Sequence, residues 1–394
     1  MDDSRVRRWA ASGAMALTGP PEQPLGPPEG LVDGVDELAR PFPDLDAPAL
    51  LGERAAHMGL WRRGTTSCGG SCRLLRSSEG FVAVSLARDD DFEVVPAWLE
   101  LDAAPQTAPA AWSAVADAVA RRDTDELLAR AALLGLPVAR VGEATGRPGV
   151  VRVPLGEAPA RELADLVVVD LSALWAGPLC GDLLASAGAS VIKVESTSRP
   201  DGARRGPAAF FDLLNGRKRS VALDFHSRAG VAALRALVAR ADVVLEASRP
   251  RALEQLGISA QREVAGGGPQ IWTSITGYGR AGDGRKRVAF GDDAAAGGGL
   301  VVWHAGTAMF CADAVADPVT GLAAARTCLD ALASGGRWLL DVSMADVSAA
   351  LAGPTLSVSE AVPVEPPRAR PVVRTAPELG ADTAQVLAEL DLRM

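Results

Sequence analysis

Residue types that often build reactive centres are scarce in this chain. Its 394 residues include five cysteines, three histidines and only three lysines. The odd, sparse cysteine set is typical of reduced thiols in a cytoplasmic protein. His57, His226 and His304 are far apart and match neither zinc-site spacing nor a serine triad. The Cys68–Cys72 segment has no second Cys/His pair nearby, which favours a glycine loop over a metal site.

Positive charge is in deficit, and long apolar runs are missing. The net charge is −9 at pH 7, which argues against general nucleic-acid binding because that needs a broad basic surface. A small anionic ligand needs only a local cluster of cations. No apolar run has the length of a membrane span, and no basic-plus-apolar leader opens the sequence. We therefore expect a cytoplasmic protein with no membrane or nucleic-acid partner.

From residue 165 the sequence alternates between short apolar runs and helical patterns. This alternation predicts an α/β fold with a mostly parallel, doubly wound sheet. The predicted strands are 166–170, 190–194, 219–223, 242–246, 270–275 and 337–342, and the predicted helices are 178–187, 227–240, 250–256 and 319–333.

The flanking segments have other patterns. Residues 1–65 form a Pro/Gly-rich N-terminal segment with turn signals, and 353–394 form a Pro-rich tail with a terminal helix at 382–391. Residues 142–162 are predicted to be a linker. The pattern between the first segment and the linker predicts a hairpin at 73–87, helices at 109–121 and 123–134, and a strand at 136–141.

The first predicted strand of the sheet is followed by the turn W-A-G-P-L-C-G at 175–181. A dinucleotide-binding fold has G-x-G-x-x-G here so that the backbone can approach a pyrophosphate. That fingerprint is missing, although Glu195 follows where a ribose-binding acid would stand. The sequence therefore disfavours a nicotinamide dinucleotide, and a plain helix start with Pro178 in its first turn is the simpler interpretation.

Basic residues lie at 204–205 and 217–219. Cations on loops at strand ends bind phosphates through charge-assisted hydrogen bonds. A solvated charged loop has the same composition and is the more common case. The sequence leaves both interpretations open.

Asp317 stands in A-D-P-V-T-G, where it is predicted to cap a helix with Pro318 at the first helical position. A helix N-terminus favours an ionised carboxylate. A carboxylate nucleophile must be ionised, so the capping role and a catalytic role are compatible.

Several motifs occur between residues 165 and 350 in a fixed order: D-L-S-x-x-W-A-G-P-L, G-A-S-V-I-K-V-E, L-N-G-R-K-R-S-V-A-L-D, A-D-V-V-L-E-A-S-R-P, D-P-V-T-G-L and D-V-S-M-A-D. Together they resemble the class III CoA-transferase family, which also contains α-methylacyl-CoA racemases. The resemblance implies a Rossmann-like CoA-binding and catalytic domain at 165–352 and a smaller α+β domain at 66–150. It also implies a homodimer. The small domain precedes the large one here, which is a permuted order for that family.

The resemblance also assigns site residues. Asp317 matches the nucleophilic aspartate, Asp292 lies where members often carry an acid near the acyl group, and Gly69 and Gly70 match a lid loop. The segments that contact coenzyme A correspond to Trp175, Asn215, Arg217, Lys218, Ala247, Ser248 and Arg249.

The implied reaction transfers coenzyme A from an acyl-CoA to a free carboxylic acid through a covalent aspartyl intermediate. Coenzyme A is a substrate, and no metal or permanently bound cofactor is expected. A racemase is an alternative; it needs two acid/base groups around the α-carbon, for which Asp317 would pair with Asp292 or His304. A third hypothesis is that the protein binds CoA esters without catalysis, as the partner of a related subunit. The permuted order favours this hypothesis, and so does Gln255, which stands where members of the family often have a basic residue.

Overall fold

The N-terminal segment contains four helices, and the first three contribute to the main core. The computed structural model describes residues 2–144, 146–164, 166–358 and 362–389. Its first helices are α1 (Asp2–Ser12), α2 (Leu31–Ala39), α3 (Ala47–Leu50) and α4 (Glu53–Met58). Trp9, Leu31 and Leu50 are almost fully buried against the helices of the large sheet. The segment has more regular structure than its turn signals predict, because apolar residues recur between the prolines.

A small antiparallel sheet follows. Its strands are β1 (Cys72–Ser77), β2 (Gly80–Ser85) and β3 (Val138–Arg140), with β2 in the centre. Helices α5 (Asp89–Leu99), α6 (Ala108–Arg121) and α7 (Thr124–Leu134) cover it. The predicted hairpin, two helices and strand are confirmed. The core between the sheet and the helices contains Val84, Trp98, Val115 and Leu127.

The rest of the chain builds a seven-stranded sheet. Its elements are β4 (Val150–Gly156), β5 (Val167–Asp170), α8 (Ala176–Ser186), β6 (Ser190–Ser196), α9 (Ala208–Asn215), β7 (Arg219–Leu223), α10 (Arg228–Arg240), β8 (Val243–Glu246), α11 (Pro250–Gln255), α12 (Ala260–Ala265), β9 (Ile271–Thr276), α13 (Gly291–Gly297), the hairpin β10 (Val302–His304) and β11 (Thr307–Met309), α14 (Ala316–Ser334), β12 (Arg337–Ser343), α15 (Met344–Leu351) and α16 (Thr383–Glu389).

The strand order is β4-β12-β9-β8-β5-β6-β7. All strands except β4 run parallel. The order reverses between β5 and β8, which is the doubly wound arrangement whose ligands bind at the carboxyl ends of those two strands. The predicted α/β fold and its six parallel strands are confirmed.

One segment differs from its prediction, whereas the terminal helix predicted at 382–391 is present as α16. The predicted linker contains β4, which pairs antiparallel with β12 and covers one edge of the sheet. At the other edge, the tail places α16 beside β7, where the Asp382 carboxylate accepts the Ser220 N–H at 2.7 Å. Among the described residues, no helix is both long and apolar enough to cross a membrane.

Candidate active site

The loop after β5 lies at the reversal point of the sheet and is fixed by buried charges. The Asp170 carboxylate accepts the Ser172 N–H at 2.9 Å and also the Ser172 hydroxyl. The Lys193 ammonium donates to the Ser172 carbonyl at 3.0 Å and pairs with Asp201 at 2.8 Å. Leu174 has a φ of 69°, a conformation that costs a non-glycine residue energy and is common at functional sites. The loop is therefore rigid where a ligand would meet it.

The glycines of the following turn have a packing role. A Cβ atom on Gly177 would lie 2.2 Å from the Ser172 Cβ, and one on Gly181 would lie 3.0 Å from the Lys218 Nζ. Helix α8 therefore packs directly on the loop and on the buried lysine. Glu195 is also occupied, because it forms a buried ion pair with Arg204 at 2.6 Å. Gly177, Gly181 and Glu195 therefore have structural roles in this fold, and they do not form a dinucleotide-binding fingerprint.

Asp317 lies at the start of α14, next to this turn. The helix begins at Ala316 after Val315, so the prediction that Asp317 caps it is wrong by two positions. The Ala176 backbone N–H lies near its carboxyl group and acts to lower the pKa of Asp317. The preceding loop is strained, with Ala312 and Ala314 at φ values of 55° and 45°.

Three carboxylates and one guanidinium share this site. Arg54, from α4, forms two hydrogen bonds to Asp313, Nε to Oδ2 at 2.8 Å and Nη2 to Oδ1 at 2.6 Å. Asp292, on α13, accepts the Ala314 N–H at 3.1 Å. A Cβ atom on Gly291 would lie 2.3 Å from Asp317 Oδ2, so only glycine leaves room for that oxygen.

Two carboxyl groups of the site, those of Asp317 and Asp292, hold their protons more tightly than usual. Burial raises the pKa of Asp317 to about 7; the Arg54 guanidinium opposes this shift, and Asp292 and Asp313 reinforce it. Burial and the neighbouring Asp313 raise the pKa of Asp292 to about 6. Desolvation therefore outweighs the helix N-terminus that was expected to favour ionisation.

The pH dependence of turnover is expected to follow Asp317. If its carboxylate is the reactive form, kcat/KM falls about tenfold per pH unit below pH 7 and levels off above it. Asp292→Asn removes a like charge, so it should move this acid limb to lower pH. Initial rates between pH 5 and 9 test the prediction, with the exposed Asp330→Asn as control. An acid limb near pH 4 in the parent protein would contradict it.

The predicted lid loop lies on the same cluster. A Cβ atom on Gly69 would lie 3.4 Å from Arg54 Nη2, and the Cys68 thiol donates to the Ala312 carbonyl at 3.4 Å. Cys72 belongs to a different buried cluster from Cys68. In the described part of the chain, no three or more His, Cys, Asp or Glu side chains are placed so that they could hold a metal ion together.

The predicted coenzyme A contacts divide into two groups. Trp175 is buried beside the site, with the Arg54 guanidinium 5.5 Å from its ring centroid. The buried Lys218 ammonium donates to Asp170 at 2.8 Å, to the Pro178 carbonyl at 2.8 Å and to Asn215 at 3.1 Å. All three of its protons are used inside the fold, so the geometry favours a structural role for Lys218 and Asn215 over a phosphate contact. Arg217 is paired with Asp182 at 2.8 Å.

The segment Ala247–Arg249 is more open. It follows β8, and Ala247 and Arg249 are exposed. Partial burial and the nearby charges of Arg251, Arg88 and Arg199 lower the pKa of Arg249. Arg88 is paired with Asp91, but no ion pair is formed by the other three within the described ranges. Arg88, Arg199 and Arg251 are therefore near enough to Arg249, at the carboxyl end of β8, to affect its charge; we call these four residues the arginine cluster.

The site contains residues that the sequence analysis did not predict, and, among the described residues, one predicted residue, His304, is not joined to it. Arg54 and Asp313 form its central ion pair, and three members of the arginine cluster, Arg88, Arg199 and Arg251, were also missed. Their signal is three-dimensional, because Arg54 and Asp313 are 259 positions apart. His304 ends β10, and no hydrogen bond or ion pair joins it to Asp317 among the residues described.

Comparison with known proteins identifies the family. The sequence profile of CoA-transferase family III matches residues 163–382. The chain belongs to this family. The match includes Asp317, the loop after β5 and the segment Ala247–Arg249, while α4 and the glycine loop lie outside it.

Curated relatives match a shorter part. Succinyl-CoA–D-citramalate CoA-transferase from Chloroflexus aurantiacus is 36% identical over 149 residues, which are 36% of this chain and 37% of that protein. Mouse alpha-methylacyl-CoA racemase is 36% identical over 115 residues, 29% of this chain and 28% of the racemase. The chain thus spans about a third of the length of these relatives. A CAIB/BAIF family protein from Brucella suis has a similar structure, with 31% identity, a TM-score of 0.43 and coverage of 48% of this chain and 55% of that one.

Proposed function

We propose that this protein transfers coenzyme A between an acyl-CoA and a free carboxylic acid, with Asp317 as the covalent nucleophile. The observation that carries the proposal is the position of Asp317. Its carboxylate lies near the Ala176 backbone N–H, in the turn after β5 at the reversal point of the sheet, where this fold class binds nucleotide-like ligands. The reactive group and the ligand crevice therefore meet.

The chemistry follows from a carboxylate facing a thioester. Asp317 attacks the acyl carbonyl, the C–S bond breaks, and a mixed anhydride and a CoA thiolate form. The thiolate then attacks the aspartyl carbonyl, which releases the first acid and leaves an aspartyl-CoA thioester. The acceptor acid repeats the two steps in reverse, so each covalent step replaces part of one difficult exchange. The glycine loop over Arg54 would shield the anhydride from water.

Two features support a phosphate-bearing ligand. The arginine cluster concentrates positive charge beside the crevice of a chain whose net charge is −9. The Trp175 indole N–H is buried with no hydrogen-bond partner among the described residues. A buried unpaired donor costs about 1–3 kcal/mol, and a ligand oxygen at the crevice would satisfy it.

Arg249→Ala is expected to raise the KM for acyl-CoA about tenfold, with little change in kcat, because a charge-assisted contact to a phosphate is lost. The effect should shrink at high salt. Steady-state kinetics at two salt concentrations test this, with Arg262→Ala, an exposed arginine on α12, as control. Equal KM values for both variants would contradict the role of Arg249.

A racemase remains the second candidate, because Asp292 and Asp317 share one buried site and both have raised pKa values. A panel of acyl-CoAs in D₂O separates the two functions. Transferase activity requires an added acid and leaves the α-carbon unlabelled, whereas a racemase incorporates deuterium at that carbon without an acceptor. Deuterium incorporation without CoA exchange would overturn our proposal.

The predicted assembly is also a proposal. We infer a homodimer or a pair with a related subunit, and two relatives from Chloroflexus aurantiacus are named as the alpha and beta subunits of succinyl-CoA–L-malate CoA-transferase. Light scattering of the purified chain should give the mass of a dimer.

A further inference from the structure

Arg54 is a charged residue of the N-terminal segment whose side chain contacts the site around Asp317. It lies on α4, outside the part matched by the family profile. Its guanidinium is bound to both oxygens of Asp313 and faces the Trp175 ring, and the backbone of Gly69 lies against it. One side chain thus contacts three separate segments that surround Asp317.

Two of these contacts lead directly to Asp317. Asp313 lies in the strained loop that enters α14, between Ala312 and Ala314, both at positive φ. Because Asp313 is fully buried, the bidentate pair with Arg54 fixes the direction of that loop. Trp175 directly precedes Ala176, whose backbone N–H lies near the Asp317 carboxyl group and acts to lower its pKa.

We propose that Arg54 is a positioning residue, which holds the Asp313 loop and the Trp175 turn around Asp317 and keeps the nucleophile ionisable. The inference rests on the proposed function of Asp317. It assigns a role in the reaction to a residue from a segment that looks, by composition, like a set of turns.

The charges around Asp317 support this role. The groups that face it are Arg54 from α4, Asp292 from α13 and Asp313 from its own loop; the thiols of Cys68 and Cys311 lie near this cluster. The Arg54 guanidinium lowers the pKa of Asp317 more strongly than Asp313 raises it. Loss of Arg54 is therefore expected to raise the pKa of Asp317.

Substituting either partner of the Arg54–Asp313 ion pair tests the inference, because the two changes should shift the pKa of Asp317 in opposite directions. Arg54→Met should raise the pKa of Asp317 by about one unit, and Asp313→Asn should lower it, since one removes the opposite charge and the other a like charge. Arg54→Lys keeps the charge but not the bidentate geometry, so its pKa should stay close to the parent value while kcat falls. The pKa is measured on protein labelled with ¹³C at aspartate Cγ, with Asp317→Asn identifying the resonance.

The kinetic readout should agree with the titration. In Arg54→Met the acid limb of kcat moves up by the same amount, so turnover falls about fivefold at pH 7, more at lower pH, and recovers at higher pH. An unchanged pKa of Asp317 in both Arg54→Met and Asp313→Asn, or shifts in the same direction, would overturn the inference. If Arg54→Met does not fold, the direction of the Asp313→Asn shift decides.

The result can be separated from a failure of the proposed function. Full CoA exchange by Asp317→Asn would remove the proposed nucleophile, whatever Arg54 does. Loss of exchange in Asp317→Asn, together with unshifted titrations in the ion-pair variants, would refute the role of Arg54 alone.

Discussion

Asp317→Asn is expected to lower the rate of CoA exchange by on the order of 10³-fold or more, because it removes the only atom proposed to form a bond with the acyl group. An amide has nearly the same shape as the carboxyl group but cannot form the mixed anhydride. The rate is measured with an acyl-CoA donor and a labelled acceptor acid, under single-turnover and steady-state conditions.

The same variant has a predictable effect on stability. A carboxyl group whose pKa is raised to about 7 in the folded protein opposes folding when it must ionise, so its stability cost appears as pH rises from about 4 to 7. Asp317→Asn removes this cost. The variant should therefore gain stability relative to the parent as pH increases over that range, and inactivity cannot then be due to unfolding.

Asp330→Asn is the matched control on the same helix. Asp330 is exposed and pairs with Arg326 at 3.0 Å, far from the start of α14, so exchange should be unchanged. If Asp317→Asn exchanges coenzyme A as fast as Asp330→Asn, another group must be the nucleophile.

The second large effect is expected at Lys218. Lys218→Met should reduce the free energy of unfolding by about 3–5 kcal/mol, because it leaves the buried Asp170 carboxylate without its cation. The pair is completely buried, with the ammonium 2.8 Å from Asp170. Burial lowers the pKa of Lys218, while Asp170 partly restores it. Urea unfolding at pH 7 measures the loss.

Arg219→Met provides the comparison, because Arg219 pairs with Glu389 at the surface. Such an exposed pair contributes about 0–1 kcal/mol. The two variants also distinguish the two interpretations of the basic segment. Equal stability of both variants, with a raised KM for acyl-CoA only in Lys218→Met, would show that the ammonium serves the ligand as the resemblance implies.

The sequence predicted the large sheet well because buried parallel strands consist of continuous runs of apolar residues. It also located Asp317, whose motif is local and continuous in the chain. The N-terminal helices and β4 were missed, since prolines and glycines obscured the helical spacing and β4 is half-exposed at a sheet edge. Local sequence patterns therefore predicted the parallel strands of the core, but not the N-terminal helices and the edge strand that cover it.

The chemistry around Asp317 needed the fold. The local sequence R-K-R is the same whether its lysine binds a phosphate or a buried aspartate. Only the three acceptors around Lys218 in the folded protein distinguish these cases. Arg54 has no local motif and meets Asp313, 259 positions away, only because the fold brings α4 to the loop that precedes α14. The raised pKa of Asp317 likewise comes from burial and from the charges of Asp292 and Asp313, against the opposing charge of Arg54.

The most direct test of the central claim is the transfer of oxygen to Asp317. With an acceptor acid that carries ¹⁸O in its carboxylate, the covalent route leaves one acceptor oxygen on the aspartate, because CoA cleaves the anhydride at the acyl carbonyl. Mass spectrometry of the peptide 288–326 should then show ¹⁸O at Asp317 and not at Asp292, Asp293 or Asp313. Sustained CoA exchange with no ¹⁸O at Asp317 would contradict the account.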